Sequence, residues 1–167
     1  DLKAFVLRRI MASYFQLEQD KGLFVFVTSF GFKNGIPREA DLLFDVRFLH
    51  NPHWDAHLRP LSGLDAAVAK KVKSDKAYKG FYTGITKLLA PLLPRYINEG
   101  KNYLTIAVGC TGGRHRSVLV AEELHRWVQK RGFSTAVRHR DLEKDPAARL
   151  QMAHGNSISR RKQRKTA

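Results

Sequence analysis

Hydrophobic residues follow two different periods along this chain, so strands and helices are predicted in turn. Unbroken runs of apolar, β-branched and aromatic residues predict four strands, at residues 23–30, 42–48, 103–109 and 134–140. Apolar residues at helical spacing predict helices at residues 1–20, at residues 117–131 and within residues 64–98. Because the strands are apolar throughout and alternate with helices, we expect an α/β fold with a mostly parallel sheet flanked by helices.

Glycines and prolines are expected to set the ends of these helices. Gly22 and Gly132 stand where the first and the last long helix should stop. Pro91 and Pro94 are predicted to break or kink the second helix of residues 64–98 near its end. A further short helix is expected after Pro146.

Residues 49–63 (LHNPHWDAHLRPLSG) are predicted to form a long loop, and loops of this kind are often functional. His50, His53 and His57 lie in it, but no cysteine or second histidine cluster would complete a zinc shell, so no metal site is expected. Trp54 is interpreted as a packing anchor, in preference to a platform that stacks a nucleobase.

Charge is the strongest global feature of the composition. Thirty Lys and Arg against fifteen Asp and Glu give a formal net charge of +15, which suits a polyanionic partner such as nucleic acid. The single cysteine, Cys110, excludes a disulfide within the chain and fits a reducing compartment, so we expect a cytoplasmic location. No apolar run approaches the roughly 20 residues that span a bilayer.

The 167 residues are expected to form one folded domain with two flanking segments. Since the chain opens on Asp1 and not on methionine, we expect a fragment or a processed chain. The family resemblance described below implies that residues 1–20 are a linker or an N-terminal helix from a preceding domain. Residues 21–145 are predicted to be the folded domain, and the same resemblance implies that this domain binds a ligand and RNA. Residues 146–167 are predicted to be a basic extension with a disordered tail.

The strongest local signal is a strand, a glycine-rich loop and a helix in succession, YLTIAVG-CTGGRHRS-VLVAEELHRWV. The first turn of a helix offers unpaired N–H groups and the positive end of the helix dipole. Glycines permit close approach, and the basic and hydroxyl side chains of the loop can bind a phosphate ester. The segment therefore predicts a phosphate cradle. Its residues are Cys110, Thr111, Gly112, Gly113, Arg114, His115, Arg116 and Ser117.

The same loop has a second interpretation as a catalytic site. Cys110 and Arg116 have the C-x5-R spacing of cysteine-dependent phosphatases, in which a thiolate attacks phosphorus. Such an enzyme also needs a carboxylic acid to protonate the leaving group. Asp45 or Asp55 would serve, although nothing in the sequence places either residue at the loop.

Several blocks together resemble the C-terminal domain of the RapZ family. They are GCTGGRHRSV around the loop, SFGFKNGIP at residues 29–37, FDVRFLHNPHWDAHLRPLSGLD at residues 44–65 and RHRDLEK at residues 138–144. The resemblance implies a fold similar to a phosphofructokinase subdomain. It also implies a non-enzymatic adaptor that binds small regulatory RNA, presents it to an endoribonuclease and senses glucosamine-6-phosphate.

Further expectations follow from the same resemblance. Family members self-associate, so we expect a homo-oligomer. They bind ATP or GTP through an N-terminal domain that is absent from this fragment, so no cofactor is expected here. Arg114 stands where lysine is common in the family, which keeps the charge. Beyond the loop, the resemblance places ligand contacts at Asp45, Arg47, Asn51, His53 and Arg59.

Two sets of charged residues remain to be interpreted. Asp45 and Arg47 are open to two interpretations, an ion pair that ties down the loop or a ligand contact beside the cradle. The C-terminal part of the chain is rich in cations of the kind that contact phosphates with little sequence preference. The residues expected to bind RNA are Arg138, Arg140, Lys144, Arg160, Arg161, Lys162, Arg164 and Lys165.

The leading hypothesis from the sequence is therefore a non-enzymatic RNA adaptor with a pocket for an amino-sugar phosphate. One rival is a cysteine-dependent phosphatase that uses Cys110, Arg116 and Asp45. The other rival is a purely structural assembly domain with no ligand of its own.

Overall fold

A computed structural model describes residues 22–144 of the chain. The helices predicted at residues 1–20 and after Pro146 lie outside the described residues, as does the basic tail. Residues 22–144 contain four strands: β1 (Phe24–Gly31), β2 (Leu42–Asp45), β3 (Tyr103–Cys110) and β4 (Ser134–His139). The helices are α1 (Ala66–Lys73), α2 (Lys76–Asn98) and α3 (Arg116–Lys130), with short 3-10 turns at Phe32–Asn34 and Pro52–Trp54.

The four strands form one parallel sheet in the order β2-β3-β1-β4, which confirms the predicted α/β class. In the register of the sheet, Gly31 at the end of β1 lies opposite Cys110 at the end of β3. Asp45 at the end of β2 lies opposite Gly109. The carboxyl ends of three strands therefore meet at one edge, where ligands commonly bind in parallel sheets.

Each helix packs into the core through apolar residues spaced four apart, which lie on one face of a helix. The buried residues of this spacing are Val68 and Val72 in α1, Ile85, Leu89 and Leu93 in α2, and Val120, Leu124 and Val128 in α3. They join the buried side chains of β1 and β3 in one core. Burying a side chain of this size stabilises the fold by about 1.5–3 kcal/mol.

Of the two outcomes predicted for Pro91 and Pro94, a break or a kink, the break is wrong, because α2 continues past both prolines to Asn98. Leu89 and Leu93 are buried beside the prolines, so packing on the core holds the helix together through this stretch. Both proline rings lie on the exposed side of the helix. The helix ends at Asn98, and two residues later Gly100 turns the chain with a φ of 76°, in the left-handed region that glycine favours.

Within residues 22–144, no helix combines the length and the apolar character needed to cross a membrane.

Candidate ligand-binding cleft

The glycine-rich loop joins the end of β3 to the start of α3, as the sequence predicts. Gly113 turns the loop with a φ of 74°, which a side chain would strain. A Cβ atom at Gly113 would also lie 2.6 Å from the amide nitrogen of Gly31. The backbone of the loop therefore packs directly on the end of β1, and glycine is required there.

Above this loop lies a cleft of about 630 Å³. Its size suits a small ligand, since such sites usually measure about 300–1,000 Å³. The predicted residues that the structure brings together in its walls are Asn51, His53, Cys110, Thr111, Gly112, Arg114, His115 and Arg116. The loop of residues 49–63 and the phosphate cradle thus face one another, and the rings of His53 and His115 are 6.5 Å apart.

Arg116 is buried in the wall of the cleft, with 4% of its surface exposed. Its guanidinium donates to the carbonyl oxygens of Arg47 at 2.6 Å and Leu49 at 3.1 Å, and to the Oγ1 of Thr111 at 3.2 Å. It therefore ties the segment after β2 to the cradle. Its Nε atom is buried and has no hydrogen-bond partner.

His115 precedes α3 and is likewise buried in the cleft wall. Its Nε2 atom has no hydrogen-bond partner. Burial, together with the nearby Arg114 charge, lowers the pKa of His115 below its usual 6.5, although the carbonyl groups of Leu58, Arg59 and Leu61 partly oppose this. The imidazole is therefore neutral at pH 7 and can act as either a donor or an acceptor.

Several main-chain amides of the cradle are available to a ligand. Among residues 22–144, no protein acceptor is in hydrogen-bond contact with the amides of Gly112, His115 or Arg116. The amide of Gly113, by contrast, donates to the Sγ atom of Cys110 at 3.3 Å. Unpaired amides at the opening of a helix are the donors that bind an anion.

Cys110 lies at the bottom of the cradle, where its thiol is almost fully buried. Its Sγ atom is 3.1 Å from the Oγ atom of Ser117. Ser117 and Gly113 do not line the cleft themselves and support the thiol and the loop from beneath.

Arg114 is held against the opposite loop. Its Nε donates to the carbonyl oxygen of Leu61 at 2.9 Å, and a terminal nitrogen donates to that of Pro60. The carbonyl oxygen of Arg114 accepts a hydrogen bond from the amide of Gly63 at 2.9 Å. A Cβ atom at Gly63 would overlap the carbonyl oxygen of His115, so the start of α1 rests directly on the cradle.

Three other predicted ligand contacts lie outside the cleft wall. Asp45 and Arg47 form an exposed, two-pronged ion pair, with a shortest distance of 2.6 Å between nitrogen and oxygen. Hydrogen bonding to Arg47 lowers the pKa of Asp45 below its usual 3.8. Arg59 donates to the carbonyl oxygen of His53 at 3.0 Å and so braces the turn that carries it. Of the two interpretations of Asp45 and Arg47, this geometry matches the ion pair.

The cleft also contains residues that the sequence did not single out. Lys33 and Asn34 come from the turn after β1, and Asp141 and Leu142 follow β4. The Nζ atom of Lys33 lies 4.0 Å from the place where a side chain on Gly112 would begin. Lys33 belongs to the SFGFKNGIP block, which begins in β1 and continues into the turn after it. Because β1 pairs with β3 in parallel, that turn lies beside the loop that follows β3.

Asp141 holds several parts of the cleft wall together. Its carboxylate accepts hydrogen bonds from the Gly31 amide at 2.7 Å and from Arg140 at 2.9 Å, and it pairs with Lys144 at 3.1 Å. Burial alone would raise the pKa of Asp141, but these hydrogen bonds outweigh it and lower the pKa below 3.8. The carboxylate is therefore ionised at neutral pH.

The interpretation of Trp54 as a packing anchor is wrong, because 79% of its surface is exposed. The 3-10 turn Pro52–Trp54 buries Pro52 instead and leaves the indole at the rim of the cleft. The rings of Trp54 and His53 meet edge to face, with 5.9 Å between their centres.

The residues predicted to bind RNA divide into two groups. Those at 160–165 lie beyond the described residues. Arg138 pairs with Glu143 at 2.8 Å, while Arg140 and Lys144 pair with Asp141. Lys144 also lines the cleft. As for metals, residues 22–144 contain no group of three or more His, Cys, Asp or Glu side chains that could hold an ion.

Fold and cleft together define a parallel α/β domain with a basic, glycine-rich loop at the carboxyl edge of its sheet. The chain belongs to the RapZ C-terminal domain family, whose pattern matches residues 23–143. This confirms the resemblance seen in the sequence blocks.

Several curated bacterial proteins are similar to this chain. A nucleotide-binding protein of Rhodospirillum centenum is 56% identical over 138 residues, which cover 83% of this chain and 42% of that protein. A nucleotide-binding protein of Paramagnetospirillum magneticum is 58% identical over 136 residues, covering 81% and 44% respectively. One from Symbiobacterium thermophilum is 52% identical over 123 residues, covering 74% and 40%. The chain thus spans less than half the length of these relatives.

Proposed function

We propose that this domain is a non-enzymatic sensor and RNA adaptor. Its cleft binds an amino-sugar phosphate of the glucosamine-6-phosphate class, and its basic surface binds small regulatory RNA. The nucleotide binding in the relatives' names is assigned to the part of those proteins that this chain does not span, since no GxxxxGK[ST] loop occurs here.

One observation carries the ligand proposal. His115 and Arg116 are consecutive residues in the cleft wall, and each has a buried nitrogen without a hydrogen-bond partner. A buried polar group without a partner costs about 1–3 kcal/mol. The Nε of Arg116 and the unpaired amides of the loop form a set of donors that an oxyanion would satisfy. The Nε2 of the neutral His115 imidazole can accept a hydrogen bond from a hydroxyl or amino group of the same ligand.

Lys33 supplies an exposed positive charge at the cleft, whereas the guanidinium of Arg116 is buried in the wall. Its exposed amine has no ion-pair or hydrogen-bond partner among residues 22–144. Its Nζ atom lies 4.0 Å from the place where a side chain on Gly112 would begin, so the amine can contact a phosphate group bound at the amides of the loop. A lysine in this position can follow a phosphate as a point charge, as lysines do in other phosphate sites.

The opposite wall supports the sugar part of the ligand. Asn51 and His53 line the cleft facing the cradle and offer polar groups for hydroxyl or amino substituents. Trp54 at the rim presents an exposed aromatic face against which the apolar side of a sugar ring can pack.

Calorimetric titration of the 167-residue chain with glucosamine-6-phosphate tests this assignment. We expect binding, and we expect Lys33→Ala to weaken it by about tenfold, the cost of one charge-assisted hydrogen bond. Lys87→Ala removes an exposed lysine of α2 that is not in the cleft, and should leave the affinity unchanged. Absence of binding, or equal affinity in all three proteins, would contradict the proposal.

A cysteine-dependent phosphatase remains the second candidate because of one observation. Two hydrogen-bonding groups, the Gly113 amide and the Ser117 hydroxyl, lie within 3.3 Å of the Cys110 sulfur, an arrangement that can stabilise a thiolate. Against this, the lowered pKa of Asp45 leaves that carboxylate without a proton to give at neutral pH, and it lies outside the cleft.

Hydrolysis of an aryl phosphate distinguishes the two functions. The sensor proposal expects no turnover by the unaltered chain, with sugar-phosphate binding retained in Cys110→Ser. Turnover that disappears in Cys110→Ser would establish the phosphatase in its place.

A further inference from the structure

Five lysines cluster where α1 ends and α2 begins, within ten consecutive residues (KKVKSDKAYK, residues 70–79). Val68 and Val72 turn the buried face of α1 towards the core, and Tyr78 does the same in α2. All five lysines are therefore exposed, and none lines the cleft. This lysine corner consists of Lys70, Lys71, Lys73, Lys76 and Lys79.

The positive charge of the lysine corner is mostly uncompensated. Among residues 22–144, only one of its lysines, Lys73, has an ion pair, which it makes with Glu123 at 3.1 Å. The only acidic residue of the stretch is Asp75. Its two carboxylate oxygens accept hydrogen bonds from the amides of Ala77 at 2.9 Å and His50 at 2.7 Å.

Helix stability explains three of these lysines but not the other two. Lys70, Lys71 and Lys73 lie in the last turn of α1, where the negative end of the helix dipole favours cations. Lys76 and Lys79 stand among the first four residues of α2, near the positive end of its dipole. A cation at that end is unfavourable by about 0.3–1 kcal/mol. The charges of Lys76 and Lys79 are therefore kept at some cost to the fold, as expected of a surface that meets an anionic partner.

We propose that the lysine corner binds the phosphodiester backbone of RNA. The proposal rests on the proposed RNA-binding function and assigns it a surface that the sequence did not indicate. Arg138, Arg140 and Lys144, the described residues expected to bind RNA, already pair with carboxylates of the domain. The lysine corner, in contrast, presents four cations with no ion-pair partner among the described residues.

The chemistry of the surface favours RNA over an acidic protein. Protein interfaces usually have an apolar or aromatic centre and few lysines. Here the large apolar residues of the stretch, Val72 and Tyr78, are buried in the core, and only the small Ala77 is exposed. What remains outside is a set of exposed point charges, which suits sequence-independent contact with phosphates.

The test compares two triple variants of the 167-residue chain that each lose three positive charges. The first is Lys71→Ala, Lys76→Ala and Lys79→Ala. The matched control is Lys87→Ala, Arg95→Ala and Lys130→Ala, at exposed positions away from the corner. A fluorescent RNA stem–loop is titrated over a salt series with the unaltered chain and both variants, and circular dichroism verifies that each is folded.

We expect the first triple to bind RNA at least about tenfold more weakly and to lower the slope of log K against log salt by about two. The control should keep a slope close to that of the unaltered chain. Equal weakening in both triples would show that only net charge matters and would overturn the proposal. A second result would also overturn it: the first triple keeps the slope of log K against log salt for RNA but no longer binds a polyglutamate peptide. That result would assign the lysine corner to an acidic protein.

The two proposals fail in different ways. If the unaltered chain binds no RNA at low salt, both the RNA-binding function and the lysine corner are overturned. If it binds RNA and the first triple binds equally well, only the lysine corner is overturned.

Discussion

The main-chain amide of Gly31 donates a 2.7 Å hydrogen bond to Asp141, so the end of β1 is fastened to a carboxylate that follows β4. That carboxylate is buried, with 2% of its side chain exposed, and it also pairs with Arg140 and Lys144. Because Gly31 packs against Gly113, the same contact supports the back of the cradle.

Asp141→Asn is therefore expected to destabilise the domain by about 1–3 kcal/mol at pH 7. The pKa of Asp141 is lowered by folding, so its contribution is present above pH 3.8 and is lost as the pH falls below that value. Urea unfolding at pH 7 and at progressively lower pH measures this directly.

The difference in free energy of unfolding between Asp141→Asn and the unaltered chain should narrow on acidification below pH 3.8. Glu99→Gln, which neutralises an exposed carboxylate after α2, serves as the control and should cost little at any pH. A difference that is constant with pH would show that the charge of Asp141 is not what stabilises the domain.

Gly112 and Gly113 are neighbours with opposite expected responses to substitution. Gly113→Ala places a methyl group 2.6 Å from the Gly31 amide nitrogen at a residue with a positive φ. This substitution should lower the free energy of unfolding by about 2–4 kcal/mol. Gly112→Ala meets nothing nearer than Lys33 at 4.0 Å and should cost less than about 1 kcal/mol.

Thermal unfolding compares the stability of the two glycine variants, and calorimetry compares their ligand binding. Gly112→Ala should remain folded and still lose affinity for glucosamine-6-phosphate, because its methyl group enters the space under Lys33. Equal stability of the two variants would contradict the packing of Gly113 on Gly31.

Arg116 is expected to be irreplaceable by lysine. Its guanidinium reaches two carbonyl oxygens and a hydroxyl at once, which a single ammonium on a flexible stem cannot reproduce. Both Arg116→Ala and Arg116→Lys should lower the free energy of unfolding by about 2–4 kcal/mol in urea titrations. Full stability in Arg116→Lys would mean that charge, and not the planar fork, holds the loop after β2.

Trp54 should report on the cleft without contributing to stability. The chain has two tryptophans, and only Trp54 lies at the rim. Addition of glucosamine-6-phosphate should therefore change tryptophan fluorescence in the unaltered chain and in Trp127→Phe, but not in Trp54→Phe.

The free energy of unfolding of Trp54→Phe should match that of the unaltered chain to within about 0.5 kcal/mol, since the side chain is exposed. A large loss of stability would restore the packing role that the sequence suggested for this residue.

The part of the site that residue chemistry alone predicted is the part that is local in the chain, whereas Asn51 and His53 were predicted only through the family resemblance. Cys110 to Ser117 lie between a strand and a helix, so glycine spacing and helix-end chemistry were enough to place them together. Lys33 and Asp141 are far from that loop along the chain. They reach the cleft only because β1 and β4 end beside β3, and strand order is not encoded in any single segment.

Two predictions failed because they rested on the preference of a single residue type. Trp54 is large and apolar, which favours burial on average, yet Pro52 occupies the buried position of the same turn. Pro91 and Pro94 interrupt local hydrogen bonding, yet α2 continues because its buried leucines hold it on the sheet. In each case the packing of neighbours outweighed the preference of the residue itself.

The strand order has a consequence for how the protein matures. β1 is made first, yet it sits between β3 and β4, the last two strands of the described chain to be made. A ribosome must therefore release the chain as far as Cys110 before this strand finds its first neighbour, and as far as His139 before it finds the second. Contacts between such distant segments slow folding, so during synthesis the FVFVTSF segment is a candidate site for chaperone capture.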